Sequence, residues 1–452
     1  MRELLKKYNV PAPRYTSYPT VPYWEEASFS LSGYTDTIKR SFDESNQQEG
    51  ISLYIHLPYC ESLCTFCGCN KRITHNHSLE EPYIDTLLDE WRLYLDIFGQ
   101  APVIREIHLG GGTPTFFKPR NLERLINGIL ENSTLAEHYE FGLEGHPNNT
   151  TLEHLETLKS LGFTRISFGV QDNDPVVQEA INRIQPAERV EKVTEWARSL
   201  SFTSVNFDLV YGLPFQQMSS IKNTIDHTLS LMPDRIAFYS YAHVPWIKGI
   251  GQRKFTEEDL PKGDEKRLYY EAGREMLEAG GYTEIGMDHF SLKTDTLYES
   301  MVNGGLHRNF MGYSSNKTQL MIGLGVSSIG DSWYGFGQNE KKVEDYVEAV
   351  KKGALPVFRG HLLDKEDQHI RRKVLDVMCF GKAQLSEPEW NTIHEEIIAR
   401  LGGLEEDGLV EVNGMDINVT ERGLAFLRNI CMAFDVRLWR KSPDNEMFSK
   451  AI

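Results

Sequence analysis

Six short runs rich in β-branched and aromatic residues recur between residues 51 and 239: Ile51–Ile55, Ile104–Leu109, Glu140–Leu143, Arg165–Gly169, Ser204–Val210 and Arg235–Tyr239. Amphipathic stretches separate them, and strand–helix–strand alternation predicts parallel strands in a sheet covered by helices. Six units rather than eight predict an α/β fold built as an open, partial (β/α)6 barrel. Helix starts are marked in the chain: Ser78 to Glu81 reads as a capping box with Pro82 at the helix entrance, and Thr150 to Glu153 as a second.

Both ends depart from this alternation. Residues 1–49 hold PAPRYTSYPT, too rich in proline and polar residues for a barrel unit, and are expected to form an N-terminal arm. Residues 50–350 then make the barrel with its extensions, and residues 351–452 a mainly helical C-terminal domain. Within that domain two short strands, Leu409–Val412 and Asp416–Val419, precede a helix opening at Thr420, the order of a winged helix. Residues 401–421 contain Asp and Glu but no Lys or Arg, so a packing or lid role fits better than DNA binding.

A length of 452 residues suits two or three domains, or one large α/β body with appendages. The net charge of −17 argues against a nucleic-acid partner and makes any acidic ligand depend on a local basic pocket. The opening MRELLKKYNV is charged, and no stretch is apolar enough to cross a bilayer. A cytoplasmic protein with no membrane partner is expected.

Four of the six cysteines, Cys60, Cys64, Cys67 and Cys69, fall within ten residues of the loop LYIHLPYCESLCTFCGCN that follows the first strand. Such crowding points to metal or redox chemistry rather than a disulfide framework. Three thiolates spaced C-x3-C-x2-C can hold three irons of a [4Fe–4S] cluster and leave the fourth open to a cofactor. A zinc knuckle using Cys69 as fourth ligand is the alternative, although structural zinc sites usually draw on two separated pairs. A thioredoxin-like dithiol lacks its C-x-x-C at a helix start. Cys379 and Cys431 sit in apolar surroundings and read as buried structural thiols.

C-x3-C-x2-C after an opening strand resembles the radical S-adenosylmethionine superfamily, and its continuation G-C-N-K resembles the coproporphyrinogen oxidase branch. The likeness runs on through PRYTSYPT at 13–20, GGGTPT at 110–115, GVQD at 169–172, DLVYGLP at 208–214, YAHVP at 241–245, GMDHF at 286–290, LHRNFMGY at 306–313 and RNICMAFD at 428–435. The resemblance implies a [4Fe–4S] cluster on Cys60, Cys64 and Cys67 and a 5′-deoxyadenosyl radical made from S-adenosylmethionine. It also implies two bound molecules of that cofactor. Tyr54, Gly111, Glu144 and Ile329 match positions for the first; Phe66, Gly112, Thr113, Gln171, Arg183, Asp208 and Ala242 match those for the second. Cys69, Tyr54 and Glu144 are the implied catalytic residues, and Tyr59 and Phe66 are expected to shield the cluster.

The reaction so implied is oxidative decarboxylation of two propionates of coproporphyrinogen III to vinyl groups, giving protoporphyrinogen IX in haem biosynthesis. A reduced flavodoxin or ferredoxin and a monomeric state go with it. The substrate's four carboxylates call for cations, with Arg14, Lys71, Arg72, Arg308, Arg371 and Arg372 as candidates. One departure follows Glu144: this chain reads GHPNN where relatives commonly carry an acidic residue and a different turn. Two neighbouring functions remain as alternatives, a haem chaperone and a radical enzyme that opens haem. By resemblance the chaperones carry an aromatic residue in place of Cys69 and lack the PRYTSYPT arm.

Overall fold

The computed structural model describes residues 2–244, 251–252, 255–441 and 448–451; Pro245, which ends the YAHVP segment, lies outside them. All six expected strands form, as β1 (Ile51–Leu57), β2 (Val103–Gly111), β3 (Thr134–Gly145), β4 (Phe163–Gln171), β5 (Ser204–Tyr211) and β6 (Arg235–Ser240). Each pairs in parallel with the next. Six further strands continue the sheet: β7 (Tyr282–Gly286), β8 (His289–Leu292), β9 (Leu320–Leu324), β10 (Ile329–Ser332), β11 (Gly335–Asn339) and β12 (Val357–Leu362). The order is β12-β11-β10-β9-β1-β2-β3-β4-β5-β6-β8-β7, with β12 and β7 unpaired with each other, so the sheet is open. β9 runs parallel to β1 and adds a seventh parallel strand, while β10 to β12 and β8, β7 extend the two edges antiparallel.

Helices cover the parallel strands because their apolar residues recur at helical spacing. In Pro119–Leu130, for instance, Leu122, Leu125, Ile126 and Ile129 are all fully buried, each contributing about 1.5–3 kcal/mol by leaving water. Both expected helix starts move. The box at Ser78 does not form; Asn76 caps a short 3-10 turn at His77–Leu79, and the α-helix begins at Glu80. Buried Glu80 is taken up by Asn121 Nδ2 at 2.7 Å and the Lys118 N–H at 2.8 Å. One residue beyond the expected start, Thr151 is the true cap, in a reciprocal box with His154. Thr150 instead turns inward, donating to the His146 carbonyl.

In the C-terminal part, Lys382–Gln384 joins Asp416–Val419 and Val410–Asn413 in a three-stranded antiparallel sheet. Thr420 caps a 3-10 turn, Glu421–Phe426, before the α-helix Leu427–Met432. The first 49 residues contribute to three apolar clusters, with Trp24 packed against Phe336 and Leu363 in one of them. Tyr34, Ile38 and Phe42 of the helix Leu31–Ser45 join the core of the main sheet. Leu4, Tyr15 and Tyr18 join a second core with Ile370, Val374, Phe426 and Phe434. Arg428 ties this arm to the chain's end: Nε donates to the Pro13 carbonyl at 3.1 Å, Nη2 to that of Ala12, and Nη1 to that of Lys450 at 2.8 Å.

Candidate active site

The inner faces and carboxyl ends of β2 to β6 surround a cavity of about 490 Å³, closed at one side by the cysteine loop. Cys60, Cys64, Cys67 and Cys69 all line it. The first two are buried, Cys67 is partly exposed, and Cys69 is exposed. Burial pushes the Cys60 thiol up to about 11, opposed by the Thr113 hydroxyl, which donates to its Sγ at 3.3 Å. Arg183 reaches Cys64 Sγ with Nη1 at 3.6 Å and the Gly169 carbonyl with Nη2 at 2.7 Å. Its Nε is buried without a partner among the described residues. Lys71 Nζ donates to the Cys67 and Cys69 carbonyls and so folds the loop back on itself.

Beside the thiols, the glycines at the end of β2 form a cradle. Gly111 has φ +109°, and a Cβ there would lie 2.7 Å from the His56 ring. A Cβ on Gly112 would stand 2.6 Å from the Pro58 carbonyl. Only glycine lets the strand run this close to the cysteine loop while leaving room on its cavity side. Glu144, at the end of β3, accepts from the Gly111 N–H at 3.3 Å and faces His108 Nε2 at 3.5 Å. Burial acts to raise its carboxyl, but the contacts to His108 and Gly111 outweigh this and hold it below its ordinary range. On β5, Asp208 accepts from Ser167 Oγ and Asn206 Nδ2, each at 2.9 Å. Burial, with the nearby Glu144 charge, pushes it up to about 6.

All seven positions matched to a second cofactor line this one cavity: Phe66, Gly112, Thr113, Gln171, Arg183, Asp208 and Ala242. Gly111 and Glu144 of the first set do as well. Tyr54 stands just behind the wall, its ring stacked on His108 with centroids 6.1 Å apart and its hydroxyl 3.2 Å from His56 Nδ1. Ile329 lies off the wall, on β10, packed with Trp24, Phe336 and Leu363. Tyr59 likewise sits among Tyr83, Phe116 and Phe117 rather than facing the cavity. Of the six candidate carboxylate-binding cations, Arg371 is held by buried Asp331 at 2.7 Å and Arg72 by Glu344. Arg372 lies over the Trp333 ring at 5.5 Å. Arg14 contacts Asp288 at 3.4 Å. Arg308 is different: it is buried, lies 4.5 Å over the Tyr313 ring and, among the described residues, donates only to the Arg14 carbonyl at 3.3 Å. Its Nε and Nη1 have no partner among the described residues.

Residues not singled out from the sequence complete the wall: His108, Arg165, Ser167, Asn206, Arg235, Tyr239, Gln252 and His289. Most were legible as a set, because inward positions on a strand recur every second residue. His108–Gly110 on β2, Arg165–Ser167–Gly169 on β4, Asn206–Asp208 on β5 and Arg235–Ala237–Tyr239 on β6 repeat that spacing. Gln252 carries no such signal. It clips the cysteine loop by donating to the Phe66 and Ala242 carbonyls, both at 3.1 Å.

The three thiols and the glycine cradle on one cavity, with Arg183 in its wall carrying a buried nitrogen unpartnered among the described residues, fit an iron–sulfur cluster and an adjoining S-adenosylmethionine. Residues 54–228 match the Radical SAM superfamily, and the chain is an enzyme of that class, using a [4Fe–4S] cluster and S-adenosylmethionine. Similarity extends over the full length to oxygen-independent coproporphyrinogen III oxidases. That of Synechocystis sp. is 36% identical, covering 100% of this chain and 97% of its own. That of Escherichia coli is 35% identical, covering 99% and 98%. The solved structure of E. coli coproporphyrinogen III oxidase, a radical SAM enzyme, superposes with a TM-score of 0.89 at 34% identity, over 96% of this chain and 98% of that one. The chain belongs to the oxygen-independent coproporphyrinogen III oxidase family.

Proposed function

We propose that this protein converts two propionates of coproporphyrinogen III to vinyl groups, giving protoporphyrinogen IX in haem biosynthesis. Each conversion removes one hydrogen atom and one further electron and releases carbon dioxide. The observation that carries the reading is the convergence of the cysteine loop, the glycine cradle and the carboxyl ends of the parallel strands on one cavity, in a chain whose relatives of that name match it from end to end. When bound, the cluster and S-adenosylmethionine supply the one-electron chemistry that removes the propionate hydrogen.

The chain's own residues bind and orient. Cys60, Cys64 and Cys67 would hold the cluster, leaving exposed Cys69 free for a catalytic role. The Gly111 backbone, Glu144 and Tyr54 would seat the first S-adenosylmethionine, with Ile329 acting from outside the wall. Phe66, Gly112, Thr113, Gln171, Arg183, Asp208 and Ala242 would seat a second. Glu144 suits ribose hydroxyls or an amino group because it stays ionised and is already fixed by His108. Arg308, a buried guanidinium that does not line the cavity itself but packs on the Tyr313 ring of its wall, and that has no carboxylate partner among the described residues, is the leading cation for a substrate propionate. The arm at residues 13–20 lies beside it through Arg14 and would close over the substrate. A reduced flavodoxin or ferredoxin as electron donor, a monomeric state and a cytoplasmic location complete the proposal.

The test is anaerobic reconstitution with iron and sulfide, followed by incubation with coproporphyrinogen III, S-adenosylmethionine and a reductant. Two equivalents of carbon dioxide and a protoporphyrin product are expected. Intact coproporphyrin beside opened haem, in a parallel incubation with haem, would assign the chain to haem cleavage instead.

A further inference from the structure

Outside the cavity, among the described residues, a cluster of potential ligands stands in the second core. His369 projects from the helix Lys365–Phe380 and His394 from the helix Asn391–Glu406. Their Nε2 atoms are 2.9 Å apart. A carboxylate oxygen of Glu387, in the segment joining the two helices, completes a set of three donor atoms within 4.8 Å of one another. We propose that His369, His394 and Glu387 bind one divalent transition-metal ion of the zinc type, clamping the two helices together.

The donor set suits such an ion: imidazole with a carboxylate is a common combination for zinc, and neutral imidazole is the form that binds. Two nitrogens on a tetrahedral zinc stand about 3.3 Å apart, from the usual bond length of about 2.0–2.1 Å. The observed separation is thus within about 0.4 Å of what the ion requires. The surrounding side chains hold the donors in place. Trp390 stacks on the His369 ring at 5.0 Å and 16°. Lys373 fixes the Glu387 carboxylate at 2.8 Å and also donates to the Gln384 carbonyl at 2.5 Å. Its positive charge opposes a cation, while Glu389 and Asp376 act on this group of residues with the opposite sign. His394 is fully buried, but the Glu387 side chain is 33% exposed, which leaves a route in from solvent. The N–H···N hydrogen bond between the two rings and the Lys373–Glu387 ion pair are contacts these residues make without an ion.

The experiment uses the full chain without a histidine tag, already carrying its iron–sulfur cluster, equilibrated anaerobically with zinc ion and then freed of excess. One zinc per chain is expected, with only nitrogen and oxygen neighbours in zinc-edge X-ray absorption and unchanged cluster absorbance. His369→Gln and Glu387→Gln should each weaken zinc binding at least tenfold. Should His369→Gln fail to fold, Glu387→Gln, nearer the surface, decides. No retained zinc, zinc with sulfur neighbours, or equal retention in the variants overturns the site and leaves a hydrogen-bonded histidine pair.

Discussion

Single residues decide what the cavity can hold. Cys60, Cys64 and Cys67 are the three anchors proposed for the cluster, so replacing any one with Ser should abolish it, whereas Cys69→Ser should keep it and lose most activity. Iron and sulfide analysis with visible absorption checks this; loss of the cluster in Cys69→Ser would make that residue a ligand. Arg308 carries a different expectation. A charge-assisted hydrogen bond to a carboxylate contributes about 1.5–3 kcal/mol, so Arg308→Ala should weaken coproporphyrinogen binding roughly 10- to 150-fold. S-adenosylmethionine binding and the cluster should be untouched, since Arg308 lies over Tyr313 and not in the cysteine loop. Substrate titration of the cluster-replete variant measures it, and unchanged affinity would move the carboxylate site elsewhere. Asp208 adds a pH signature. Its folded pKa, about 6, lies above the ordinary value of 3.8, so the folded state holds the proton more tightly. Its contribution to stability is therefore greatest below about pH 4 and falls as pH rises through about 6. Asp208→Asn should remove that component, and thermal midpoints of both proteins across pH 4–7 should converge on the acid side and favour the variant at neutral pH.

At the scale of elements, local signals located the two capping-box helix starts to within a residue or two, and side-chain partners chose the cap. Ser78 and Thr150 carry the right chemistry but are neighbours of the caps actually used. Ser78 gives its hydroxyl to Asn76 Oδ1, and Thr150 turns toward Thr115 and the His146 carbonyl. Thr151→Ala should accordingly cost about 1 kcal/mol of stability. Ser78→Ala, whose hydroxyl only donates to the true cap, should cost less than half of that. Chemical denaturation midpoints would distinguish the two, and equal losses would restore Ser78 as a cap. Strands show the same division. The six expected parallel strands were legible because their apolar runs are short and bounded by turn residues. The seventh, Leu320–Leu324, is as apolar but lies outside the strand–helix alternation, and antiparallel strands such as Gly335–Asn339 are polar and glycine-rich and lack that signature.

On the scale of the molecule, Arg428 joins the two ends of the chain, and the arm it secures leads directly to Arg14 and Arg308. Arg428→Met leaves the Pro13 and Lys450 carbonyls without their donor and should loosen the arm. Both this variant and removal of residues 1–20 should reduce substrate affinity, and combining them should add nothing, because the arm is the shared element. Binding titrations on the cluster-replete single and double variants provide the measure. Additive losses would mean that Arg428 acts on the site by another route. Both changes should also raise S-adenosylmethionine cleavage uncoupled from product, by admitting water to the cavity.

The sequence by itself determined the parallel α/β body, the crowding of four thiols into one loop and the glycine turn beside it. These depend on short-range features: apolar periodicity, thiols spaced for one cluster, and positions that only glycine can occupy. Tertiary structure decided which charges remained available. Arg371 and Arg308 look alike in the chain, yet a carboxylate from a distant strand takes up the first and none among the described residues meets the second. It also placed Ile329 and Tyr59 in apolar packing away from the cavity, and brought His369 and His394 together across two helices. Pairing of this kind depends on contacts between segments far apart in sequence, and no local pattern encodes which partner will arrive.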